Sequence, residues 1–184
     1  IPVNLRNLKG IYNRARDPKQ SNEFSFSRFL VPYLCNYEGQ AIFFDCDMML
    51  RTDIAEIFSA MEEQPGKAVY VVKHTYEPRD DVKYLNTVQY KYPRKNWSSV
   101  VLWNCEHFKN RIVTPNFVNT ASGLDLHRFT WLDDSEIGEL DVHWNWLVGE
   151  YDQPPEDVKN VHWTVGGPYF HEYENADFAQ EWFD

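Results

Sequence analysis

A hydrophobic run ends abruptly on two carboxylates in the segment 41–47, AIFFDCD. Successive side chains of an extended strand alternate in direction, so Asp45 and Asp47 are predicted to leave the same face and point into one cavity. The end of a strand is also where ligands bind in open α/β sheets. Because divalent cations such as Mg²⁺ and Mn²⁺ prefer carboxylate oxygens, the segment predicts a strand that leads into a metal site.

The residues after the carboxylate pair predict a helix. Asp53 and Glu56 have the spacing of a capping box, which marks the start of a helix. Apolar residues follow at helical intervals: Ile54, Ile57, Phe58 and Met61. Two aspartates separated by one residue also arise by chance, so the alternative interpretation is a solvated acidic turn that caps this helix.

The remaining hydrophobic pattern predicts an α/β fold. Hydrophobic segments at 68–72 and 99–103 indicate further strands, and 161–164 indicates a short late strand. The apolar spacing over 26–34 indicates a helix, in which Pro32 forces a kink or an early first turn. Buried strands that alternate with helices favour a mixed sheet flanked by helices.

Size and composition limit the class of protein. With 184 residues and 43% hydrophobic content, the chain can bury a core, and 1–184 is predicted to be a single domain. A formal net charge of -10 argues against nucleic-acid binding, which depends on Lys and Arg. The sequence has no apolar run long enough for a membrane span, so none is expected.

The cysteines indicate the redox compartment. Cys35, Cys46 and Cys105 are odd in number and lack both Cys-x-x-Cys and zinc-type spacing. Reduced thiols fit this pattern best, and they predict a cytoplasmic location. The sequence begins with Ile1 rather than Met, which leaves room for a targeting segment upstream.

A late histidine is the candidate third metal ligand. His162 lies in the last predicted strand, and Mn²⁺ accepts imidazole nitrogen as well as carboxylate oxygen. Gly166 and Gly167 follow in a turn that would let the backbone approach a ligand closely. With six histidines in the chain, an ordinary core or surface histidine is the alternative.

Five segments occur in a distinctive order. They are SFSRFLVPYL at 25–34, AIFFDCD at 41–47, WSSVVLWN at 97–104, the stretch from Leu140 to Trp146, and HWTVGGPY at 162–169. In this order they resemble glycosyltransferase family 8, and the resemblance covers residues 24–170, most of the chain.

The resemblance implies a GT-A fold and a metal-dependent retaining enzyme that transfers a hexosyl group from a nucleotide-sugar, commonly a UDP-sugar. By position, Asp45, Asp47 and His162 would hold Mn²⁺ or Mg²⁺, and Asp45 would also touch the donor ribose. Arg28 would steady the donor phosphate or sugar. The implied partners are the nucleotide-sugar donor and a sugar-containing acceptor.

The sequence departs from the family pattern in three places, one of which is Trp97-Ser98-Ser99, where the family has Asn-Ser-Gly. The late histidine motif of the family usually continues to a Lys before its Pro, where this chain has Gly167. A cation for the diphosphate is then expected from Lys73, Arg94 or Lys95. The family also opens with a strand that holds the nucleotide base, and this strand would lie upstream of Ile1.

Aromatic side chains near the motifs suggest an acceptor site, because the apolar faces of sugars stack on rings. Trp97 and Trp144 are the candidates, together with His74, which follows Lys73 at the end of a predicted strand. Core packing is the alternative for each Trp, and an exposed loop position is the alternative for His74.

The sequence therefore predicts a GT-A-like α/β domain that acts as a metal-dependent glycosyltransferase. Two alternatives stay open. A sugar nucleotidyltransferase would share the fold, but it needs a Gly-rich basic phosphate loop that is not visible here. A non-catalytic carbohydrate-binding or partner-binding module would keep the fold without turnover.

Overall fold

The computed structural model describes residues 4–16, 20, 24–74 and 94–184. The strands in this part of the chain are β1 (Gln40–Phe44), β2 (Met48–Leu50), β3 (Val69–Val71), β4 (Val100–Asn104), β5 (Ile137–Glu139), β6 (Trp146–Leu147) and β7 (Asn160–His162). They form a four-stranded sheet in the order β1-β4-β3-β5 and a three-stranded sheet in the order β2-β7-β6.

Both sheets are mixed. In the first, β4 pairs antiparallel with β1 and β3, and β3 pairs parallel with β5. In the second, β7 pairs antiparallel with β2 and parallel with β6. The predicted strands at 41–44, 68–72, 99–103 and 161–164 are confirmed within two residues at each end.

Short helices flank the sheets, so the predicted mixed α/β class is confirmed. The α-helices in the described residues are α1 (Val31–Leu34), α2 (Ser59–Glu63), α3 (Pro115–Thr120), α4 (Gly123–His127) and α5 (Ala179–Phe183). Pro32 lies in the first turn of α1, directly after the 3-10 turn Ser27–Leu30, so the predicted early first turn is confirmed.

The predicted helix after the carboxylates begins as a 3-10 turn, Ile54–Phe58, and continues as α2. Asp53 caps it by accepting a hydrogen bond from the backbone N–H of Ala55. The reciprocal half of the predicted capping box is wrong, because the Glu56 carboxylate accepts from Thr52 and Lys159 instead. Within the described residues, no helix combines the length and apolar character needed to cross a membrane.

The two faces of the first sheet belong to different cores, as strand alternation requires. On β4, Val101 and Trp103 pack into one cluster, and Val100 and Leu102 pack into the other. A third cluster, which includes Trp163, covers the second sheet. The two sheets meet at the end of β1, because only the segment 45–47 separates β1 from β2.

Candidate metal centre

Three potential ligands converge where the two sheets meet. Single ligand atoms of Asp45, Asp47 and His162 all lie within 4.8 Å of one another. Asp45 directly follows β1 in the first sheet, and Asp47 directly precedes β2 in the second. The chain passes from one sheet to the other through this corner, so the carboxylate pair forms the turn between the sheets.

The pairing of β2 with β7 brings His162 to the same corner. Met48 lies opposite His162 in the antiparallel register. One step further, the backbone N–H of Trp163 donates to the carbonyl of Asp47 at 3.1 Å. His162 Nε2 lies 3.5 Å from Asp47 Oδ1. The strand register therefore brings His162 next to the two aspartates, as the sequence predicts.

Asp45 is paired with a buried arginine. Arg28 Nη2 lies 2.8 Å from Asp45 Oδ1, and Arg28 Nη1 lies 3.0 Å from Oδ2. Burial raises the pKa of Asp45, Arg28 opposes this rise, and Asp47 adds to it. The Asp45 backbone N–H also donates to the carbonyl of Ser99 at 3.0 Å. Arg28 thus holds the carboxylate of Asp45, and Ser99 holds its backbone.

The guanidinium of Arg28 is engaged within the protein. Its Nε donates to Ser25 O at 3.0 Å and its Nη1 to Ser98 O at 2.9 Å, and it lies over the ring of Phe43. Only 6% of the Arg28 side chain is exposed. These contacts assign Arg28 the role of holding Asp45, and they weigh against the predicted contact with donor phosphate.

The other imidazole nitrogen of His162 contacts a buried amide. His162 Nδ1 lies 2.9 Å from Asn145 Oδ1. Asn145 Nδ2 lies 2.8 Å from both Ser99 Oγ and His74 Nε2. His74 Nδ1 is in turn 2.6 Å from the Tyr151 hydroxyl. Burial, with a smaller effect of His162, lowers the pKa of His74 to about 3, so its imidazole is neutral near pH 7.

The donor set fits a divalent cation. Two carboxylates suit Mg²⁺ and Mn²⁺ alike, and an imidazole favours Mn²⁺ over Mg²⁺. Asp45 forms an ion pair with Arg28. Each carboxylate oxygen has a second lone pair, so the ion pair leaves room for a metal bond. Asp47 has 24% of its side chain exposed and offers the more open oxygen.

Two of the three predicted cations for the diphosphate, Lys73 and Arg94, lie near Trp97. Lys73 Nζ lies 6.0 Å from the centre of the Trp97 ring, and Arg94 Cζ lies 5.3 Å from it. Arg94 also pairs with Asp134. Lys95 is buried. Lys73 is therefore the best placed of the three to meet a ligand, and Trp97 is partly exposed beside it.

Two predicted acceptor contacts lie in the interior. Trp144 is 4% exposed and packs in the core on one face of the first sheet. His74 is 7% exposed and is held by Asn145 and Tyr151. Burial weighs against a direct acceptor contact for either side chain. Trp144 fits the alternative interpretation, which is core packing.

Gly166 and Gly167 are both buried, and aromatic rings cover them. A Cβ on Gly166 would lie 2.2 Å from the ring of Tyr173, and one on Gly167 would lie 2.3 Å from the ring of Tyr169. Close ring packing therefore accounts for both glycines. Their predicted contact with the donor stays a prediction.

Asn145 and Ser99 are site residues that the sequence pattern does not predict. Asn145 lies between two tryptophans, in a segment whose apolar residues indicate only burial. Ser99 opens a hydrophobic strand, where a small hydroxyl residue is unremarkable. Neither has a spacing that points to a metal site, because their role depends on contacts between distant segments.

Comparisons with known proteins add one relative. No protein-family model matches the sequence, so the resemblance to glycosyltransferase family 8 stays a prediction. Protein CDI of Arabidopsis thaliana is 44% identical over 180 residues, which cover 96% of this chain and 69% of that protein.

Among solved structures, the apo form of mouse xyloside xylosyltransferase 1 aligns with 74% of this chain at 15% identity, with a TM-score of 0.48. The chain spans 63% of that protein chain, less than two thirds of its length. A likeness at this level assigns neither a fold nor an activity.

Proposed function

The chain belongs to the family of the Arabidopsis thaliana Protein CDI, and we propose that it is a metal-dependent glycosyltransferase that uses a nucleotide-sugar donor. The supporting observation is the convergence of Asp45, Asp47 and His162 at the corner between the two sheets. The name of the relative carries no activity, so the proposal rests on the chemistry of this site and on the motif order that includes it.

A divalent cation at this site would do the work that the reaction requires. Transfer of a sugar leaves negative charge on the departing diphosphate, and a bound cation stabilises that charge as a Lewis acid. The protein itself carries a net charge of -10, so a cation also reduces repulsion between the protein and an anionic donor. Asp47 and His162 would hold the cation, with Asp45 fixed beside them by Arg28.

Finer features of the proposal follow the motif order. The donor is a UDP-sugar, the transferred group is a hexosyl group, and the product retains the anomeric configuration. Lys73 supports the second phosphate, because it is partly exposed and its Nζ lies 6.0 Å from the centre of the Trp97 ring. Trp97, which is partly exposed beside Lys73, offers a ring face to a sugar.

A second function has one observation in its favour. Several residues expected to contact donor or acceptor are occupied by the protein itself: Arg28, His74, Trp144, Gly166 and Gly167. This pattern also fits a metal-dependent carbohydrate-binding module without turnover. Such a module would bind a sugar or nucleotide-sugar in the presence of the cation and release no UDP.

A donor hydrolysis assay distinguishes the two functions. Purified protein is incubated with a panel of UDP-sugars and Mn²⁺, and UDP release is measured with and without a chelator. The Asp47→Asn variant tests the site, and Asp177→Asn serves as the matched control, because Asp177 is an exposed aspartate outside the cluster. We expect Mn²⁺-dependent UDP release that Asp47→Asn removes and Asp177→Asn retains. Binding of a UDP-sugar without any release of UDP would favour the module instead.

A further inference from the structure

The orientation of the Asn145 amide follows from contacts that begin at a backbone carbonyl. Ser99 Oγ lies 2.6 Å from Asn96 O, and a carbonyl oxygen only accepts, so the Ser99 hydroxyl donates its hydrogen there. Toward Asn145, 2.8 Å away, Ser99 Oγ must then accept. The amide atom that faces Ser99 is therefore the NH₂ group, and the amide oxygen points the other way.

The amide oxygen determines which nitrogen of His162 carries hydrogen. Asn145 Oδ1 lies 2.9 Å from His162 Nδ1, and an amide oxygen can only accept, so Nδ1 must donate. A neutral imidazole carries one N–H, which leaves Nε2 with a bare lone pair. Nε2 is the nitrogen that lies 3.5 Å from Asp47 Oδ1.

We infer that Asn145 is a positioning residue that holds His162 as its Nδ1–H tautomer and thereby presents Nε2 as a ligand to the cation shared with Asp47. This inference rests on the metal site of the proposed function. It adds a residue that touches neither cation nor donor and acts only through the imidazole.

Burial makes this hydrogen bond hard to replace. Asn145 is fully buried and His162 is 3% exposed, so bulk water has little access to Nδ1. Asn145 also comes directly before β6, whose Leu147 lies beside His162 in the parallel register with β7. The amide and the imidazole are thus held together by the sheet as well as by the hydrogen bond.

Ser99 connects both sides of the metal site. Its carbonyl accepts from the backbone N–H of Asp45, and its hydroxyl orients Asn145, which orients His162. A carboxylate on the first sheet and an imidazole on the second are therefore set by the same residue. Partners of this kind, beyond the direct ligands, typically change metal affinity about 10- to 100-fold when they are removed.

The tautomer can be measured in the wild-type protein without metal or donor. Long-range ¹H–¹⁵N NMR spectra, with His162 assigned by comparison with His162→Gln, report which ring nitrogen is protonated. We expect hydrogen on Nδ1 and a bare Nε2. Hydrogen on Nε2 in the neutral imidazole would overturn the inference.

Metal affinity is measured on the metal-free protein by electron paramagnetic resonance of free Mn²⁺. We expect Asn145→Ala to weaken Mn²⁺ binding about 10- to 100-fold. Asn110→Ala is the matched control, because Asn110 is also a fully buried amide but donates to the carbonyls of Ala68 and Asn104. It should leave the Mn²⁺ affinity within about twofold, as expected for a change at an independent site.

The conservative variant Asn145→Asp keeps an acceptor opposite His162 Nδ1. We expect it to keep the Nδ1–H tautomer in the NMR spectrum, whereas Asn145→Ala loses this preference. Equal Mn²⁺ affinity in wild type and Asn145→Ala would overturn the inference. A wild-type protein that has the Nδ1–H tautomer but binds no Mn²⁺ would instead refute the metal site of the proposed function and still support the role of Asn145 in orienting His162.

Discussion

The two aspartates at this site, Asp45 and Asp47, have different environments, although the sequence presents them as equivalents. Asp45 is bound at both oxygens by a buried guanidinium, whereas Asp47 faces the imidazole and is more exposed. Asp45 is therefore mainly a fixed charge at the end of β1, and Asp47 is the more available potential ligand.

Replacing Arg28 with Met should destabilise the protein and make its stability depend on pH. Arg28→Met leaves a buried carboxylate without its partner, which typically costs about 3 kcal/mol or more in the free energy of unfolding at pH 7. Urea denaturation in the presence of a chelator measures this loss.

The direction of the pH effect follows from the pKa of Asp45. Burial already raises this pKa in the folded protein, and removal of Arg28 should raise it further. A raised folded-state pKa adds stability below the unfolded-state pKa, and this stability is lost as pH rises through the folded-state value. The deficit of Arg28→Met should therefore be smaller near pH 4 than at pH 7. A deficit that does not vary with pH would contradict the pairing with Asp45.

Replacing Asp47 with Asn should separate metal binding from stability. The side chain is 24% exposed and contributes little to the core, so Asp47→Asn should change the free energy of unfolding of the metal-free protein by only a few tenths of a kcal/mol, roughly. Mn²⁺ affinity should fall by more than about tenfold, because a neutral amide replaces an anionic ligand. Calorimetric titration with Mn²⁺ checks the affinity. An unchanged dissociation constant would exclude Asp47 as a ligand.

At the scale of strands and helices, packing between elements sets the limits of substitution. Gly138 in β5 lies beside Tyr70 in β3 in the parallel register. A Cβ at Gly138 would lie 2.3 Å from Tyr70 Cδ1, and Tyr70 is fully buried. The absence of a side chain at Gly138 allows the edge strand β5 to reach the sheet.

Gly138→Ala should therefore destabilise the protein by about 1–3 kcal/mol, the usual range for overpacking a core. The Tyr70→Val background is the control, because the smaller side chain leaves space for the added methyl group. Urea denaturation of both single variants and the double variant should show that Gly138→Ala costs less in that background. Additive losses would mean that the ring of Tyr70 is not what Gly138 accommodates.

The elements that could be predicted from sequence are those with their own hydrophobic signal. Residues 68–72 and 100–103 are continuous apolar runs, and both contribute buried strands. β2 and β6 were missed because they are three and two residues long and exist through pairing with β7. The same limit applies to the site: the spacing of the two aspartates is local, whereas the partner of Arg28 depends on the tertiary fold.

For the whole molecule, the candidate metal centre lies between the two sheets. Asp45 belongs to the end of the first sheet, and Asp47 and His162 belong to the second. A cation bound by all three would connect the sheets in addition to the short chain segment 45–47 that joins them. Binding and global stability should then be coupled.

Mn²⁺ should raise the thermal and urea stability of the wild-type protein. At a free concentration of about 100 times the dissociation constant, the expected gain is about 2.7 kcal/mol. A chelator should remove this gain in stability, and His162→Gln should reduce it. Asn110→Ala should lower the stability of the metal-free protein but retain the gain on adding Mn²⁺. Differential scanning fluorimetry over a Mn²⁺ series gives the dependence. A wild-type melting temperature that is independent of Mn²⁺ would contradict binding to the folded state.

The corner at Asp45-Cys46-Asp47 also has a consequence for the order of folding. The position of Asp45 depends on the pairing of β1 with β4, and the positions of Asp47 and His162 depend on the pairing of β2 with β7. Neither ladder alone assembles the three ligands. During refolding, tight Mn²⁺ binding should consequently appear only after both strand pairings have formed. The time course of Mn²⁺ binding would then report the final step of assembly.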